Sequence, residues 1–238
     1  MFEPEGPTVR ELAVQALSSV ERGYDLLAPK FDLTPFRTPQ VILAPVARAL
    51  HRLGPFGRGL DLCCGTGAGL GVLRQVCRER PVGVDFSAGM LTEGRAAYGD
   101  GADLVRGDAL ALPFGPVFDL VVSFGAFGHF LPRQRPELFA QVHSVLKPGG
   151  RFAFPLPAPA RPGSRGYFAM LAFDGAMRVR NALWRPPFVM YYRGFRLGDV
   201  RRELNAAGFD VALQALPELG ERSDGSPRCR LLVATRKR

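Results

Sequence analysis

Residues 59–69, GLDLCCGTGAG, constrain the fold of this chain more than any other segment. Residues 60–64 are a short and mostly apolar run, which is typical of a buried strand. Gly65, Gly67 and Gly69 come next, and glycine lets a backbone turn sharply and approach a ligand closely. A helix pattern follows, so the free N–H groups of its first turn would face the crevice at the carboxyl end of the strand. The segment therefore predicts one strand–turn–helix unit of an α/β sheet, with a ligand at the turn.

The spacing of these glycines argues against two familiar nucleotide sites. A dinucleotide site has the pattern G-x-G-x-x-G, but the third glycine position is Leu70 when counted from Gly65 and Val72 when counted from Gly67. The lysine of a phosphate-binding P-loop is missing as well, which excludes that site. A NAD-dependent dehydrogenase is left only as a remote alternative.

Short apolar runs alternate with helix patterns along the chain, and this alternation predicts an α/β fold with a doubly wound, mostly parallel sheet. The expected strands are residues 59–63, 81–84, 103–105, 118–124, 151–154, 209–213 and 229–235. The expected helices between them are residues 69–80, 87–97, 132–146 and 197–207.

We expect a single domain of 238 residues with four parts. The parts are an N-terminal helical cap (1–57), a ligand-binding core (58–154), a lid insertion (155–195) and a C-terminal helix with strands (196–238). Thr8 and Glu11 form a capping-box pattern that opens the first helix, and Thr38 is the expected cap of the second. The lid is rich in proline and glycine yet carries many aromatic residues, which a plain linker would lack.

Two acidic residues follow the second and third expected strands. Asp85 lies twenty residues after the first turn glycine, where a carboxylate can accept hydrogen bonds from both ribose hydroxyls. Its alternative role is to cap the next helix. Asp108 can accept from an adenine amino group while the N–H of Ala109 meets a ring nitrogen, and Phe86 and Met90 offer apolar surface for the ring. Together these residues favour a ligand that contains adenosine.

The segments LDLCCGTGAG, VGVDFSAGML, GDALALPF, FDLVVSFGAFGHF and LKPGGRFAF occur in this order, and GFDV and LLVATR follow them. Together they resemble the class I S-adenosylmethionine-dependent methyltransferases, particularly the broad group similar to the ubiquinone/menaquinone-biosynthesis methyltransferases. The resemblance implies a seven-stranded, Rossmann-like sheet whose last strand is antiparallel. It also implies S-adenosyl-L-methionine as the cofactor and methyl transfer to a small-molecule acceptor.

The resemblance also implies which residues meet the cofactor. They are Tyr24, Asp61, Cys63, Gly65, Gly67, Asp85, Phe86, Met90, Asp108, Ala109, Ser123 and Phe124. Gly65 and Gly67 would flank the methionine part, and Ser123 and Phe124 would border the methyl group. Cys63 replaces the usual first glycine of the family pattern D-x-G-C-G-x-G, and a side chain at this position would crowd the methionine end.

Methyl transfer from a sulfonium is an in-line displacement, so the protein mainly supplies proximity and orientation. A base is needed only where the acceptor must lose a proton, and His129, just past the fourth strand, is the best-placed candidate. Alternatively, its imidazole packs at the start of a loop. Tyr24 is expected either over the cofactor or in ordinary core packing. Four lid aromatics are expected to line an acceptor pocket or to form the core of the lid: Tyr167, Trp184, Tyr191 and Tyr192.

The four cysteines form no C-x-x-C pair, which favours buried, reduced thiols over a metal site. No run of eighteen apolar residues occurs, and the N-terminus lacks the pattern of a secretory signal. We therefore expect a cytoplasmic protein without a membrane span. A monomer and a homodimer are both compatible with the sequence.

The net charge of +9 comes almost entirely from arginine, and a basic surface attracts RNA, anionic lipid or an acidic acceptor. An RNA methyltransferase is therefore one alternative, although the N-P-P-[FY] signature is absent and the fourth strand ends in Ser-Phe-Gly-Ala. A catalytically silent module that binds S-adenosylmethionine is the other, and Cys63 is its only indication.

Overall fold

Seven strands form the sheet in this computed structural model, which describes residues 5–191 and 195–238. In chain order they are β1 (Gly59–Leu62), β2 (Val82–Asp85), β3 (Asp103–Arg106), β4 (Phe118–Val122), β5 (Leu146–Pro157), β6 (Phe209–Ala215) and β7 (Cys229–Arg236). Their order across the sheet is β3-β2-β1-β4-β5-β7-β6. Strands β1 to β5 pair in parallel, whereas β7 is antiparallel to both β5 and β6. The predicted sheet, with its antiparallel last strand, is confirmed.

Helices cover both faces of the sheet. In the described residues they are α1 (Val9–Leu17), α2 (Val20–Leu27), α3 (Gln40–Leu53), α4 (Ala68–Val76), α5 (Ala88–Tyr98), α6 (Arg135–Val145), α7 (Arg165–Leu183) and α8 (Leu197–Ala206). Helices α3 and α4 pack on one face and helices α6 and α8 on the other. None of the helices within these described ranges is both long and apolar enough to cross a bilayer.

Strand β4 shows why the core has two halves. Leu120 and Val122 point to the face that carries α3 and α4, whereas Val121 points to the face that carries α6 and α8. All three side chains are fully buried. A strand buried on both faces reads as a continuous apolar run, which is why the middle strands were recognisable from the sequence.

The N-terminal helices begin partly as predicted. Thr8 Oγ1 accepts the N–H of Glu11 and the Glu11 carboxylate accepts the N–H of Thr8, so the capping box is confirmed. The prediction that Thr38 caps the second helix was wrong in two respects. Another helix, α2, comes first and is capped by Ser19. Helix α3 then begins after Pro39, which takes the cap position without a side-chain hydrogen bond.

The lid segment is more ordered than its proline and glycine content suggests. Strand β5 continues to Pro157, where it still pairs with Cys229 of β7. The 19-residue helix α7 follows, with Ser164 as its cap. The carboxyl ends of β1, β2, β3 and β4 meet at one edge of the sheet, and most of the predicted site residues lie at or just after these strand ends.

Candidate cofactor and acceptor site

The turn after β1 is built from residues in the left-handed region of backbone space. Cys63, Gly65 and Gly67 have φ values of 57°, 53° and 99°. The Gly67 N–H donates to the Cys64 carbonyl at 2.8 Å, which closes the turn. Gly67 then caps α4 without a side-chain hydrogen bond. Two N–H groups of the first turn, those of Gly69 and Leu70, are directed at the Asp61 carboxylate, so the prediction that the first turn is free for a ligand is wrong for these two groups.

Asp85, at the end of β2, holds this turn in place. Its Oδ2 accepts the Gly65 N–H at 2.9 Å and its Oδ1 accepts the Ser87 N–H at 2.9 Å. Ser87 itself caps α5, because its hydroxyl accepts the Met90 N–H. The alternative that Asp85 caps this helix is therefore wrong. Burial raises the pKa of Asp85, and the N–H groups of Ser87 and Gly65 act against that rise.

Asp61 is a buried carboxyl group that lacks a full set of partners. It lies in β1 and is 1% exposed, and its Oδ2 has no hydrogen-bond partner among the described residues. Burial raises the pKa of Asp61 well above its usual range, the negative charge of Asp85 adds to the rise, and the N–H groups of Leu70 and Gly69 oppose it. A Cβ at Gly69 would collide with this carboxylate, so α4 starts directly against it. An unpaired carboxyl in such a place is costly unless a cationic ligand meets it.

Cys63 lies among the predicted cofactor carboxylates. Burial raises the pKa of its thiol, and the charges of Asp85, Asp61 and Asp108 raise it further, so the thiol is neutral. A non-glycine residue with φ near 57° is strained by its Cβ. The family pattern has glycine at this position. Glycine suits the positive φ of the backbone and also leaves space for a ligand.

The predicted adenine side lies next to the end of β2. The Gly107 N–H donates to the Asp85 carbonyl at 3.0 Å, which places the following Asp108 turn beside that strand. Asp108 is exposed and accepts the Leu110 N–H at 2.9 Å. Ala109 is buried, Phe86 is half-buried, and Met90 is fully buried. Phe86 therefore offers more free apolar surface to a ring than Met90 does.

Ser123 and Phe124 follow β4, at the same edge of the sheet as Asp61 and Asp85. The buried hydroxyl of Ser123 donates to the Leu62 carbonyl at 2.9 Å and so ties β4 to β1. Phe124 is half-buried against the core beneath α3 and α4. Ser123 thus has a structural task in addition to its predicted place near the methyl group.

The N-terminal cap is attached to both ligand-facing loops by two aspartates that the sequence analysis missed. Asp32 accepts the hydroxyl proton of Thr66 at 2.7 Å. Asp25 accepts from the Ser87 hydroxyl at 2.6 Å and from the Gly89 N–H at 2.9 Å. The only signal in the sequence was their position. Asp25 and Asp32 stand at the two ends of a Pro-containing segment, 26–31, in which apolar residues alone would suffice for packing.

Tyr24 of α2 and His129, in the loop after β4, are in direct contact. The Tyr24 hydroxyl lies 2.8 Å from His129 Nε2, and His129 Nδ1 lies 2.7 Å from the Val189 carbonyl. A carbonyl only accepts, so Nδ1 carries the proton and Nε2 accepts the hydroxyl proton of Tyr24. Burial lowers the pKa of His129, so this ring is neutral near pH 7. Phe188 stacks on Tyr24 with ring centroids 6.4 Å apart.

The lid aromatics do not all reach this junction. The Tyr191 N–H donates to the Gly128 carbonyl at 2.8 Å, next to His129, and Arg178 lies 4.8 Å above the Tyr191 ring. Tyr167 lies at the start of α7, and Trp184 at its end is 52% exposed. Tyr192 lies outside the described residues.

Comparison with known proteins decides the family. A family model described as a methyltransferase domain matches residues 60–150. An uncharacterized methyltransferase of Synechocystis sp. is 42% identical over 170 residues, which cover 68% of this chain and 77% of that protein. The chain belongs to the class I S-adenosylmethionine-dependent methyltransferases.

Two further comparisons agree. A ubiquinone/menaquinone biosynthesis C-methyltransferase of Desulfotalea psychrophila is 35% identical over 190 residues, covering 75% of this chain and 65% of that protein. The solved structure of an S-adenosylmethionine-dependent methyltransferase from Mesorhizobium loti is 26% identical, with a TM-score of 0.56, and covers 81% of this chain and 96% of that one. The enzyme therefore uses S-adenosyl-L-methionine, and the dehydrogenase and the silent binding module are set aside.

The residues of this methyltransferase fit its cofactor. Asp61 Oδ2, which no described residue contacts by a hydrogen bond, suits the cationic amino group of the methionine part. The Asp85 carboxylate accepts the N–H groups of Gly65 and Ser87, and the Phe86 N–H also acts on it. Two carboxylate oxygens have about four lone-pair sites, so room is left for a ribose hydroxyl. A Cβ at Gly65 would meet nothing within 4 Å, so there is open space beside the turn.

Replacing Asp85 with Ala should weaken the binding of S-adenosylhomocysteine by about 2 to 3 kcal/mol, because hydrogen bonds to a charged acceptor are lost and the Gly65 turn is released. Isothermal titration calorimetry measures the affinity. Asp119→Ala is the matched control, because Asp119 accepts the Arg58 N–H at 2.8 Å and pairs with Lys147 near the start of β4, at the opposite edge. Unchanged affinity in Asp85→Ala would mean that the site is misassigned.

Asp61 should make cofactor binding release protons. The fold raises its pKa above the ordinary 3.8, so the folded protein holds a proton that the unfolded chain has lost. The stability of the free protein should therefore fall as the pH rises above that value, until the carboxyl ionises in the folded state. A cationic ligand favours the ionised form, so calorimetry in buffers of different ionisation enthalpy should detect proton release on binding. Asp61→Asn should abolish the release and flatten the stability profile; equal release in both proteins contradicts this assignment.

Cys63→Gly should stabilise the protein by about 1 kcal/mol, because glycine adopts a positive φ without the clash of a Cβ. Thermal unfolding measures the change. Cys63→Ala is the control, since it removes the thiol but keeps the Cβ and its strain. If alanine stabilised the protein as much as glycine does, the thiol rather than the backbone would be the cause.

Proposed function

We propose that this enzyme methylates a small aromatic acceptor that carries a hydroxyl group, of the quinol type, and that the Tyr24–His129 pair receives the proton which the acceptor loses. The named relatives include methyltransferases of ubiquinone and menaquinone biosynthesis. The hydrogen-bonded chain from Tyr24 through His129 to Val189 is the observation that carries the proposal, because it joins the cap, the loop after β4 and the lid at one point.

The protein's own groups account for the proton. When bound, S-adenosylmethionine supplies an electrophilic methyl group on sulfur. The Tyr24 oxygen accepts a hydrogen bond from the acceptor hydroxyl while its own proton points at His129 Nε2. As the acceptor gains the methyl group, its proton passes to Tyr24 and the Tyr24 proton passes to Nε2. His129 becomes an imidazolium whose Nδ1–H stays bonded to the Val189 carbonyl, and the extra proton later leaves to water.

The pair is also placed to exclude water from the reacting atoms. His129 is half-buried, Phe188 covers the Tyr24 ring, and the imidazole meets that ring edge-on with centroids 5.2 Å apart. Phe188 is itself only 3% exposed. A dry pocket strengthens the hydrogen bonds that orient the acceptor.

The four cysteines are free thiols, which supports the predicted cytoplasmic location. Methyl transfer to RNA is the competing reading and is supported only by the net charge. A monomer and a homodimer are both compatible with this proposal.

A panel of acceptors tests the proposed class: a naphthoquinol, a catechol, an amine, a thiol and transfer RNA, each assayed for S-adenosylhomocysteine formation. We expect turnover with the naphthoquinol or the catechol. Turnover with transfer RNA alone, together with RNA binding that weakens steeply as salt rises, would contradict the proposal and favour an RNA substrate.

Tyr24→Phe should lower kcat by roughly 100-fold, the size typical of a lost proton acceptor, and leave the affinity for S-adenosylhomocysteine unchanged because the ring is retained. Tyr191→Phe is the control, since the hydroxyl of that lid residue accepts a side-chain N–H of Asn181, at 2.9 Å. An unchanged kcat in Tyr24→Phe rules out the relay.

The pH dependence of kcat should reflect the environment of His129. In the wild type, kcat should fall only when the pH drops below 6.5, the ordinary pKa of histidine, because burial lowers the pKa of His129.

A further inference from the structure

Helix α7 turns a largely apolar surface to solvent. Large apolar side chains that are exposed on this helix and just after it are Phe168, Leu171, Phe173, Val179, Leu183 and Trp184. Leu183 is 80% exposed and Val179 is 59% exposed. Single exposed apolar residues are ordinary, but six within seventeen residues are typical of a protein or membrane interaction site. We call this set the α7 face.

The charge around the α7 face is strongly positive. Residues 155–195 contain six arginines and one aspartate, which is a net charge of +5 out of +9 for the whole chain. That aspartate, Asp174, is buried in α7. The exposed surface of the helix therefore carries cations without acidic side chains.

A basic cavity lies at the start of α7. It has a volume of about 520 Å³ and is lined by Ala158, Arg161, Ser164, Arg222, Ser223 and Arg228. Arg161 pairs with the Asp224 carboxylate at 3.2 Å, Arg228 donates to the Glu221 carbonyl at 2.9 Å, and Arg222 donates to the Pro159 carbonyl. A guanidinium has five N–H groups, so all three arginines keep donors for a phosphate group.

The end of α7 connects this surface to the acceptor site. The Arg180 guanidinium donates to the carbonyls of Ala16 and Ser18 and so fixes α7 against the end of α1. Asn181 accepts the Phe188 N–H at 2.8 Å, and Phe188 stacks on Tyr24. One turn of helix therefore separates the exposed Leu183 from residues that position the Tyr24–His129 pair.

We propose that the α7 face docks this methyltransferase on an anionic lipid bilayer. The apolar side chains enter the interfacial region, Trp184 lies at the level of the headgroups, and the arginines pair with lipid phosphates. What the docking achieves for the enzyme rests on the proposed function: an aromatic acceptor with an apolar tail would pass from the bilayer to the Tyr24–His129 pair. A second copy of the chain is a poorer occupant, because a symmetric dimer would press two faces of the same high positive charge together.

Vesicle flotation of the full chain tests the docking without any turnover. The protein should float with vesicles of equal parts phosphatidylcholine and phosphatidylglycerol, and bind vesicles of phosphatidylcholine alone much less. Added salt should weaken the binding without abolishing it, because the apolar contribution is not screened. Free inorganic phosphate should compete poorly, since it lacks the apolar part.

Matched variants distinguish vesicle binding through the α7 face from nonspecific binding of the protein. Val179→Ser combined with Leu183→Ser should reduce vesicle binding by roughly tenfold or more, since two large apolar side chains are lost from the interface. Phe168→Ser with Leu171→Ser tests the same face nearer the start of the helix. Val41→Ser, on α3 and 63% exposed, should change nothing. Arg161→Gln with Arg222→Gln should remove most of the preference for the anionic lipid.

Failure of the docking and failure of the proposed function give different results. Vesicle binding that is absent, or unchanged in both serine pairs, overturns the docking. So does sedimentation velocity that shows a dimer which the serine pairs dissociate. The affinity for S-adenosylhomocysteine should be equal in all these variants. If the quinol panel fails while flotation behaves as expected, the docking stands and the acceptor class is wrong.

Discussion

The hydrogen bond from the Gly65 N–H to the Asp85 carboxylate is the contact on which the site depends. It joins the turn after β1 to the end of β2, two elements that are neighbours only because of the strand order in the sheet. The other oxygen of Asp85 holds Ser87, and the Ser87 hydroxyl in turn holds Asp25 of the N-terminal cap. One buried carboxylate thus links the cofactor turn, the start of α5 and the segment that closes over them.

Two features at the same edge of the sheet work against stability. Cys63 holds a left-handed backbone conformation that glycine adopts more readily, and Asp61 buries a carboxyl oxygen that has no hydrogen-bond partner in the part of the chain that the structure describes. Functional sites commonly carry such costs, because a group that is satisfied within the free protein has little to gain from a ligand. Both features lie where the methionine part of the cofactor is expected, and a cationic ligand relieves the second.

The sheet and its cofactor turn could be predicted because their signals are local. Buried strands such as β4 read as apolar runs, and the glycines, Asp85 and Asp108 follow strand ends at fixed spacing. The pairing of Tyr24 with His129 could not be predicted, since the two residues are 105 positions apart and only the folded cap brings them together. Helix α7 was missed for another reason: apolar residues on its exposed side hide the periodicity by which an amphipathic helix is recognised.

A crystal structure of the enzyme with S-adenosylhomocysteine is the most direct test of whether Asp85 and Asp61 bind the cofactor. We expect the ribose hydroxyls at Asp85, the amino group of the ligand at Asp61 Oδ2, and the ligand sulfur on the side of Tyr24. Burial of both carboxylates away from the ligand, or adenosine bound at another edge of the sheet, would contradict this expectation.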